Sequence, residues 1–329
     1  MILVTGAGGF LGRHVVRRWV EANPERPLRA LFHHSPERVP AGVEVMLGDL
    51  LDADLLRRAL AGVETIVHLA AKNVDRDGSG FEQVNVEGTR NLCREAVAAG
   101  VRRFLYVSSV GVYGHGVHRD ADESTPVRPD TPLSRSKAEA EKAVLERHRC
   151  GEWTGIVLRQ RFVYGEGDEA VVPRLIRAAR KYPVWIGGGK ARLSLVLADD
   201  FAEVVRRLVD LPREAFAGPD DPVLHVTDGQ PIRYREVITE ICRVFGFPVP
   251  RLSLPFPLIY GPVRLRERLL GIDPEVATSA LTSVRLKLVA QDDYFSNRKL
   301  SRLLPGFGFT SFRDGLARSL SFYAPFGSS

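Results

Sequence analysis

Residues Met1 to Ala22 read MILVTGAGGFLGRHVVRRWVEA, and their order decides the fold. A short apolar run, Ile2 to Val4, reads as a strand. Gly6, Gly9 and Gly12 follow. Then comes a helical pattern, with Leu11, Val15, Val16, Trp19 and Val20 as its apolar positions. Glycine lets the backbone turn tightly and come close to a pyrophosphate, and the amides and positive dipole of the helix start then face the phosphates. The spacing is GxxGxxG rather than GxGxxG. Its place between a strand and a helix is what gives it meaning as a dinucleotide signature. Phe10 and Leu11, inside the turn, join Gly6, Gly9 and Gly12 as cofactor-binding candidates.

The alternation continues outward. PLRALFH is a second strand, VEVMLGDL a third and DADLLRRALAG a helix. ETIVHLAA is a fourth strand, VNVEGTRNLCREAVAAG a helix and RRFLYVSS a fifth strand. Strands alternating with helices at this rhythm predict an α/β fold with a doubly wound parallel sheet. Ligands of such sheets bind beyond the carboxyl ends of the strands. That singles out Phe32 to Ser35, Asp49, Ala70, Ala71, Ser108 and Ser109 beside the glycine turn. At the end of the second strand an acid would accept from the adenosine ribose and repel a 2′-phosphate. Here stand His33, His34 and Ser35, with Arg38 near, and no acid before Glu37. The expected cofactor is therefore NADP, with NAD as the alternative and Ser35 and Arg38 as phosphate partners.

The bulk numbers bound the rest. The chain has 329 residues, 44% hydrophobic and 26% charged, ordinary for a folded domain with a large core. The net charge is +6, but the basic residues are scattered, arginine outnumbers lysine 39 to 7, and there is no run of five or six like charges. No nucleic-acid partner is expected. Three distant cysteines, Cys93, Cys150 and Cys242, suggest neither a disulfide framework nor a zinc site, so no metal is expected and a reducing cytoplasm fits. The strand at residues 2–4 leaves no room for a signal peptide, and no apolar run is long enough to span a bilayer.

The stretches TGAGGFLG, GDL, VHLAA, NVEGTRN, YVSSVGVYG, SKAEAE, VLRQRFVYGEGD and ADDFAEVV, with the tail DDYFSNRKLSRLLPGFGFTSFRDGLARSLSFY, follow one another along the chain. In that order they resemble the extended short-chain dehydrogenase/reductases, the NAD-dependent epimerase/dehydratase group. The resemblance implies a Rossmann domain with a smaller interleaved substrate lobe. The expected boundaries are 1–165 for the nucleotide domain, with 191–227 returning to it, and 166–190 with 228–329 for the substrate lobe. It implies Asp49 as an acceptor for the adenine amino group with Leu50 packing beside it, and Ala70, Ala71 and Ser108 beside the cofactor. It implies Asn85 as a support of the active site, Ser109 as the hydroxyl that bonds the reacting oxygen, and Lys137 as the lysine that holds the nicotinamide ribose. It also implies a homodimer, paired through helices near 86–99 and 135–148 with Leu92, Ala96 and Val144 on the shared face.

One position departs from the pattern. The family keeps a tyrosine four residues before its lysine, so that both meet on one helix face. Here that residue is Leu133, in TPLSRSKAEAEKAV. A phenol near a lysine cation can give a proton to a carbonyl or take one from an alcohol; leucine can do neither. Three readings stand. Another acid acts, with Tyr113, His115, His118 and Tyr164 as candidates. Or the protein binds cofactor and ligand without redox chemistry, as a sensor or scaffold. Or the fold serves a cyclisation, elimination or isomerisation. The first is preferred: an oxidoreductase acting on a ketone or secondary alcohol of a hydrophobic or mixed small molecule.

A sugar-nucleotide epimerase or dehydratase is a further alternative. Such members carry an asparagine where Phe162 stands, while Arg192 matches an arginine that helps hold their diphosphate. Leu133, Phe162 and Arg192 are thus the substrate-side candidates. Finally, RLSLPFPLIYGPVRLRERLLG, 251–271, is apolar and broken by proline, with Arg264, Arg266 and Arg268. It reads as lobe packing, with a cleft cover or a membrane surface as alternatives.

Overall fold

The computed structural model describes residues 1–36, 38–74, 80–218, 221–272 and 282–328. The first half runs β1 (Ile2–Thr5), α1 (Phe10–Ala22), β2 (Leu28–Phe32), β3 (Val43–Leu47), α2 (Ala53–Leu60) and β4 (Thr65–His68). A π-helical turn (Phe81–Glu87) then merges into α3 (Gly88–Ala98), followed by β5 (Arg103–Ser109), β6 (His118–Ala121), α4 (Pro132–Arg149) and β7 (Thr154–Gln160). Next come β8 (Val163–Tyr164), α5 (Val171–Lys181), β9 (Val184–Ile186), β10 (Arg192–Leu193), β11 (Val196–Leu197), α6 (Ala198–Asp210) and β12 (Val223–Val226). The last part holds β13 (Ile232–Arg233), α7 (Tyr234–Phe245), β14 (Leu252–Leu254), α8 (Phe256–Leu270), α9 (Ser283–Ala290), β15 (Asp293–Phe295), α10 (Arg298–Leu303), α11 (Phe312–Arg318) and α12 (Leu320–Ser328).

Seven parallel strands form the central sheet in the order β12-β7-β5-β4-β1-β2-β3. Side chains alternate across each strand, so a sheet covered on both faces needs apolar residues at successive positions. β1 shows it: Ile2 and Val4 enter a core with α1 and α6, while Leu3 enters a second core with α2, α3 and α4. β5 does the same, with Leu105 and Val107 on one face and Phe104 and Tyr106 on the other. Full burial of each such side chain contributes roughly 1.5–3 kcal/mol.

The second half of the chain crosses between regions. β12 is an edge strand of the central sheet, and α6 packs along α1. A third core gathers α5, α7, α11 and α12 around Ile176, Val237, Ile241 and Tyr323. Part of the tail goes elsewhere: Leu300, Leu303, Leu304, Phe307 and Phe309 pack on the α1–α6 side of the central sheet. The face expected to pair two copies is corrected. Leu92, Ala96 and Val144 are fully buried within the chain, filling the gap between α3, α4 and the sheet.

Candidate active site

One cavity of about 2290 Å³ opens along the carboxyl edge of the sheet, from the glycine turn to helices α5 and α9. Its floor at the nucleotide end is backbone. Gly6 has φ +68°, and a Cβ there would lie 2.5 Å from the amide nitrogen of Ala70. A Cβ on Gly12 would lie 2.1 Å from the carbonyl oxygen of Gly6. No larger residue fits either place, so the turn can close only with glycine. α1 starts at Gly9 with no side-chain cap and no acid in its first turn. Its first amides and its dipole are left for an anion.

The other strand ends meet this turn. Phe10, Leu11, His33, Ser35, Arg38, Asp49, Leu50, Ala70, Ala71 and Ser108 all line the cavity. His33 Nε2 lies 3.3 Å from an Asp49 carboxylate oxygen, linking the ends of β2 and β3. The Ser108 hydroxyl is buried and has no hydrogen-bond partner among the described residues. A buried hydroxyl without a partner is costly, and one that faces a cavity is ready for a ligand.

Asn85 does not line the cavity; it braces its wall. The π-helical turn carries it inward. Its carbonyl oxygen accepts from the Lys72 amide at 2.8 Å, and its amide donates to the Lys72 carbonyl at 3.0 Å and to Ser136 Oγ at 2.9 Å. The loop after β4 is thereby tied to the start of α4. That start is fixed by Thr131, whose hydroxyl accepts from the Ser134 amide at 3.0 Å while Pro132 occupies the first turn. Leu133 and Lys137, one turn apart on α4, both reach the cavity. Lys137 is buried, its Nζ donating to the Val107 carbonyl at 3.2 Å and lying 5.4 Å from the Tyr106 ring centre. Burial pushes its pKa down to about 8, with Glu141 pulling the other way. Ser109, at the end of β5, lines the same cavity and its Oγ accepts from the Gly111 amide at 3.1 Å.

The two tyrosine candidates have other duties, and neither lines the cavity. The Tyr113 hydroxyl is buried between Arg159 Nη1 at 2.7 Å and His225 Nε2 at 2.6 Å. Arg159 in turn makes a two-pronged pair with Glu141. Burial pushes the Tyr113 phenol up to about 12, away from proton transfer near neutrality. Tyr164 is buried under Phe312 and its hydroxyl points to the Ser311 carbonyl. Arg192 is also corrected: it is exposed, with its guanidinium over Tyr294 and not in the cavity.

The two histidines do reach the cavity, each with an acid behind it. His115 Nδ1 lies 3.0 Å from an Asp130 oxygen, just before α4. His118 Nδ1 lies 3.1 Å from Asp293 Oδ1, and this pair is far more buried than the first. Asp293 also pairs with Arg161, and burial is outweighed there, so its carboxyl is held below the usual range. Arg161 lies 3.8 Å over the ring of Phe162, which lines the cavity at φ +36°. A bulky residue in that region is strained, and such strain gathers at functional sites. Arg174, Arg285 and Lys287 complete the far wall. Sequence reading missed Asp293 and Arg174, because β15 and α5 carry no local signal that they reach this cleft.

The likenesses to known proteins fit this geometry. The sequence profile of the NAD dependent epimerase/dehydratase family matches residues 2–220. A 2-alkyl-3-oxoalkanoate reductase from Stenotrophomonas maltophilia (strain K279a) is 32% identical, with 82% of this chain and 82% of the reductase covered. A 4-hydroxy-2-methyl-3-oxo-4-farnesyl-3,4-dihydroquinoline-1-oxide ketoreductase from Stigmatella aurantiaca is 28% identical, with 95% of this chain and 93% of its own covered. The structure of DesIV, a dTDP-glucose 4,6-dehydratase from Streptomyces venezuelae with NAD bound, superposes with a TM-score of 0.73 at 26% identity, covering 98% and 97% of the two chains. A parallel sheet with a glycine-built anion cradle, and matches that run through both halves, lead to one conclusion: this chain is an enzyme of the NAD dependent epimerase/dehydratase family.

Proposed function

We propose that the protein is an NAD(P)-dependent oxidoreductase that interconverts a ketone and a secondary alcohol on a hydrophobic or mixed small molecule. The observation that carries this reading is continuity. One cavity joins the glycine cradle to Ser109, Lys137, Leu133 and His118. The nucleotide end fits a dinucleotide on two counts, the cradle that a Cβ would fill and the orphaned Ser108 hydroxyl. Gly6, Gly9, Gly12 and the α1 amides would hold the pyrophosphate, Asp49 and Leu50 the adenine, and Lys137 the nicotinamide ribose. Ser35 and Arg38, with no acid ending β2, favour NADP over NAD. When bound, the cofactor supplies or accepts the hydride. Two ketone-reducing relatives support the reaction class.

The chain's own part is to place the carbonyl and move a proton. Ser109 donates to the carbonyl oxygen. Leu133 stands where the family's tyrosine would, and offers an apolar wall. His118 gives the proton through Nε2, while Asp293 holds Nδ1 and steadies the ring in that orientation. Ketone, hydride and one proton then balance as alcohol and oxidised cofactor. The test is titration of NADPH and NADH by fluorescence, followed by a panel holding a 2-alkyl-3-oxoalkanoate and a neutral long-chain ketone. NADPH should bind the tighter and be oxidised when a ketone is added. His118→Gln should keep NADPH affinity and lose turnover by roughly 100-fold or more. Wild-type turnover in that variant removes His118 from the reaction.

A further inference from the structure

Helix α8 is anchored to the body by little. Glu267 is its one buried residue, and its carboxylate accepts the Ser283 amide of α9 at 2.6 Å. The opposite side is apolar and exposed. Leu258, Leu265 and Leu269 are 69%, 58% and 74% exposed. At about 100° per residue, Leu258, Leu265 and Leu269 fall within about 40° of one another, on the far side from Glu267. Arg268 flanks this stripe on one side and Arg266 on the other, both exposed, while Arg264 pairs with Glu267 at 3.5 Å. In β14, just before the helix, Leu252 and Leu254 are 70% and 42% exposed. Pro262 lies within the helix without ending it.

We infer that α8 seats the protein on the surface of an anionic lipid bilayer. An apolar stripe bordered by arginines is the pattern of a helix lying in the interface, with leucines in the acyl boundary and guanidinium groups reaching back to the headgroups. Charge selects the occupant. The only acid on the helix is Glu267, which faces inward. A second copy on a twofold axis would set the same arginines against themselves. A membrane with anionic headgroups gives Arg266 and Arg268 a counter-charge. No helix among the described residues is long and apolar enough to cross a membrane, so the contact is peripheral. The place has a use: α8 packs on α9, whose Val284 and Leu288 line the cavity, so docking brings that wall beside the lipid.

The experiment uses the full chain and vesicles alone, with no substrate, so it is independent of the reaction assigned above. Flotation compares vesicles of phosphatidylcholine with phosphatidylglycerol, at about two to one, against phosphatidylcholine alone. Two multiple variants are run beside it: Leu258→Ser with Leu265→Ser and Leu269→Ser, and Arg266→Gln with Arg268→Gln. Leu47→Ser, an exposed apolar site on the far edge strand β3, serves as control. The expected result is flotation with the anionic vesicles only. Each α8 variant should lower partitioning roughly tenfold or more, with an unchanged thermal melt, and the control should float like wild type. Equal binding to both vesicles, no binding, or undiminished binding of the α8 variants overturns the inference. So does a dimer in light scattering that the leucine variant dissociates, because a second copy then covers the face.

Discussion

The glycine turn between β1 and α1 and the first turn of α4 border the same cavity, and they are specified in opposite ways. At the turn, backbone does the binding and sterics leave one residue type: any Cβ on Gly12 meets the Gly6 carbonyl at 2.1 Å. At α4, side chains do the work, and Leu133 sits half-buried with no clash and no bond demanding it. A backbone site admits few substitutions. A side-chain site can be supplied from another part of the chain. The His118–Asp293 pair joins residues 175 positions apart on β6 and β15, and in our proposal it takes over the proton.

Four substitutions or conditions would break or sharpen this contrast. The largest effect is expected at the turn. Gly12→Val should weaken NADPH binding roughly 100-fold or more, because the turn cannot close around the pyrophosphate. Fluorescence titration measures it, and near-normal affinity would show that the cradle is not where the cofactor sits. Next, Lys137→Ala should cut turnover by roughly 100- to 10,000-fold while weakening cofactor binding far less. A variant that turns over at the wild-type rate would move the reaction away from α4.

Asn85→Ala tests the brace between the two regions. It removes the bonds Asn85 makes to the half-buried Lys72 backbone and to Ser136, so stability should fall by about 2 kcal/mol, read by urea unfolding. An unchanged midpoint would mean the loop after β4 is held by other means. The last test is of pH. His68 and His225 are buried and neutral, their pKa values lowered to about 3 and about 4 chiefly by burial. The unfolded chain binds protons below about 6.5 where the folded one does not, so stability falls as pH drops through the window from there to the folded values. At pH 5 the loss is about 2 kcal/mol for each histidine. A melting temperature that stays flat between pH 7 and 5 would contradict their burial as neutral groups.

How far the sequence could be read follows from the same contrast. The parallel sheet was legible because β1 and β5 are apolar on both faces and the glycines sit between a strand and a helix. Ser109 and Lys137 were legible through the family resemblance, and both do line the cavity. Tyr113 was not: its sequence neighbours give no hint that Arg159 and His225 consume its hydroxyl. Arg192 was chosen for its place in a pattern, yet the cations at the far end of the cavity include Arg161, Arg174, Arg285 and Lys287, delivered by packing of distant elements. The apolar faces of α3 and α4 read as a surface for a partner. They are instead the inner faces of helices laid on the sheet, which one-dimensional periodicity cannot tell from a dimer seam.

The most direct test of the proposed reaction is label transfer. NADPH carrying deuterium at the transferable nicotinamide position is incubated with the protein and the ketone panel, and the product alcohol is weighed by mass spectrometry. The account predicts one deuterium on the former carbonyl carbon of the product, lost in His118→Gln. Tight NADPH binding with no deuterium in any product would contradict it.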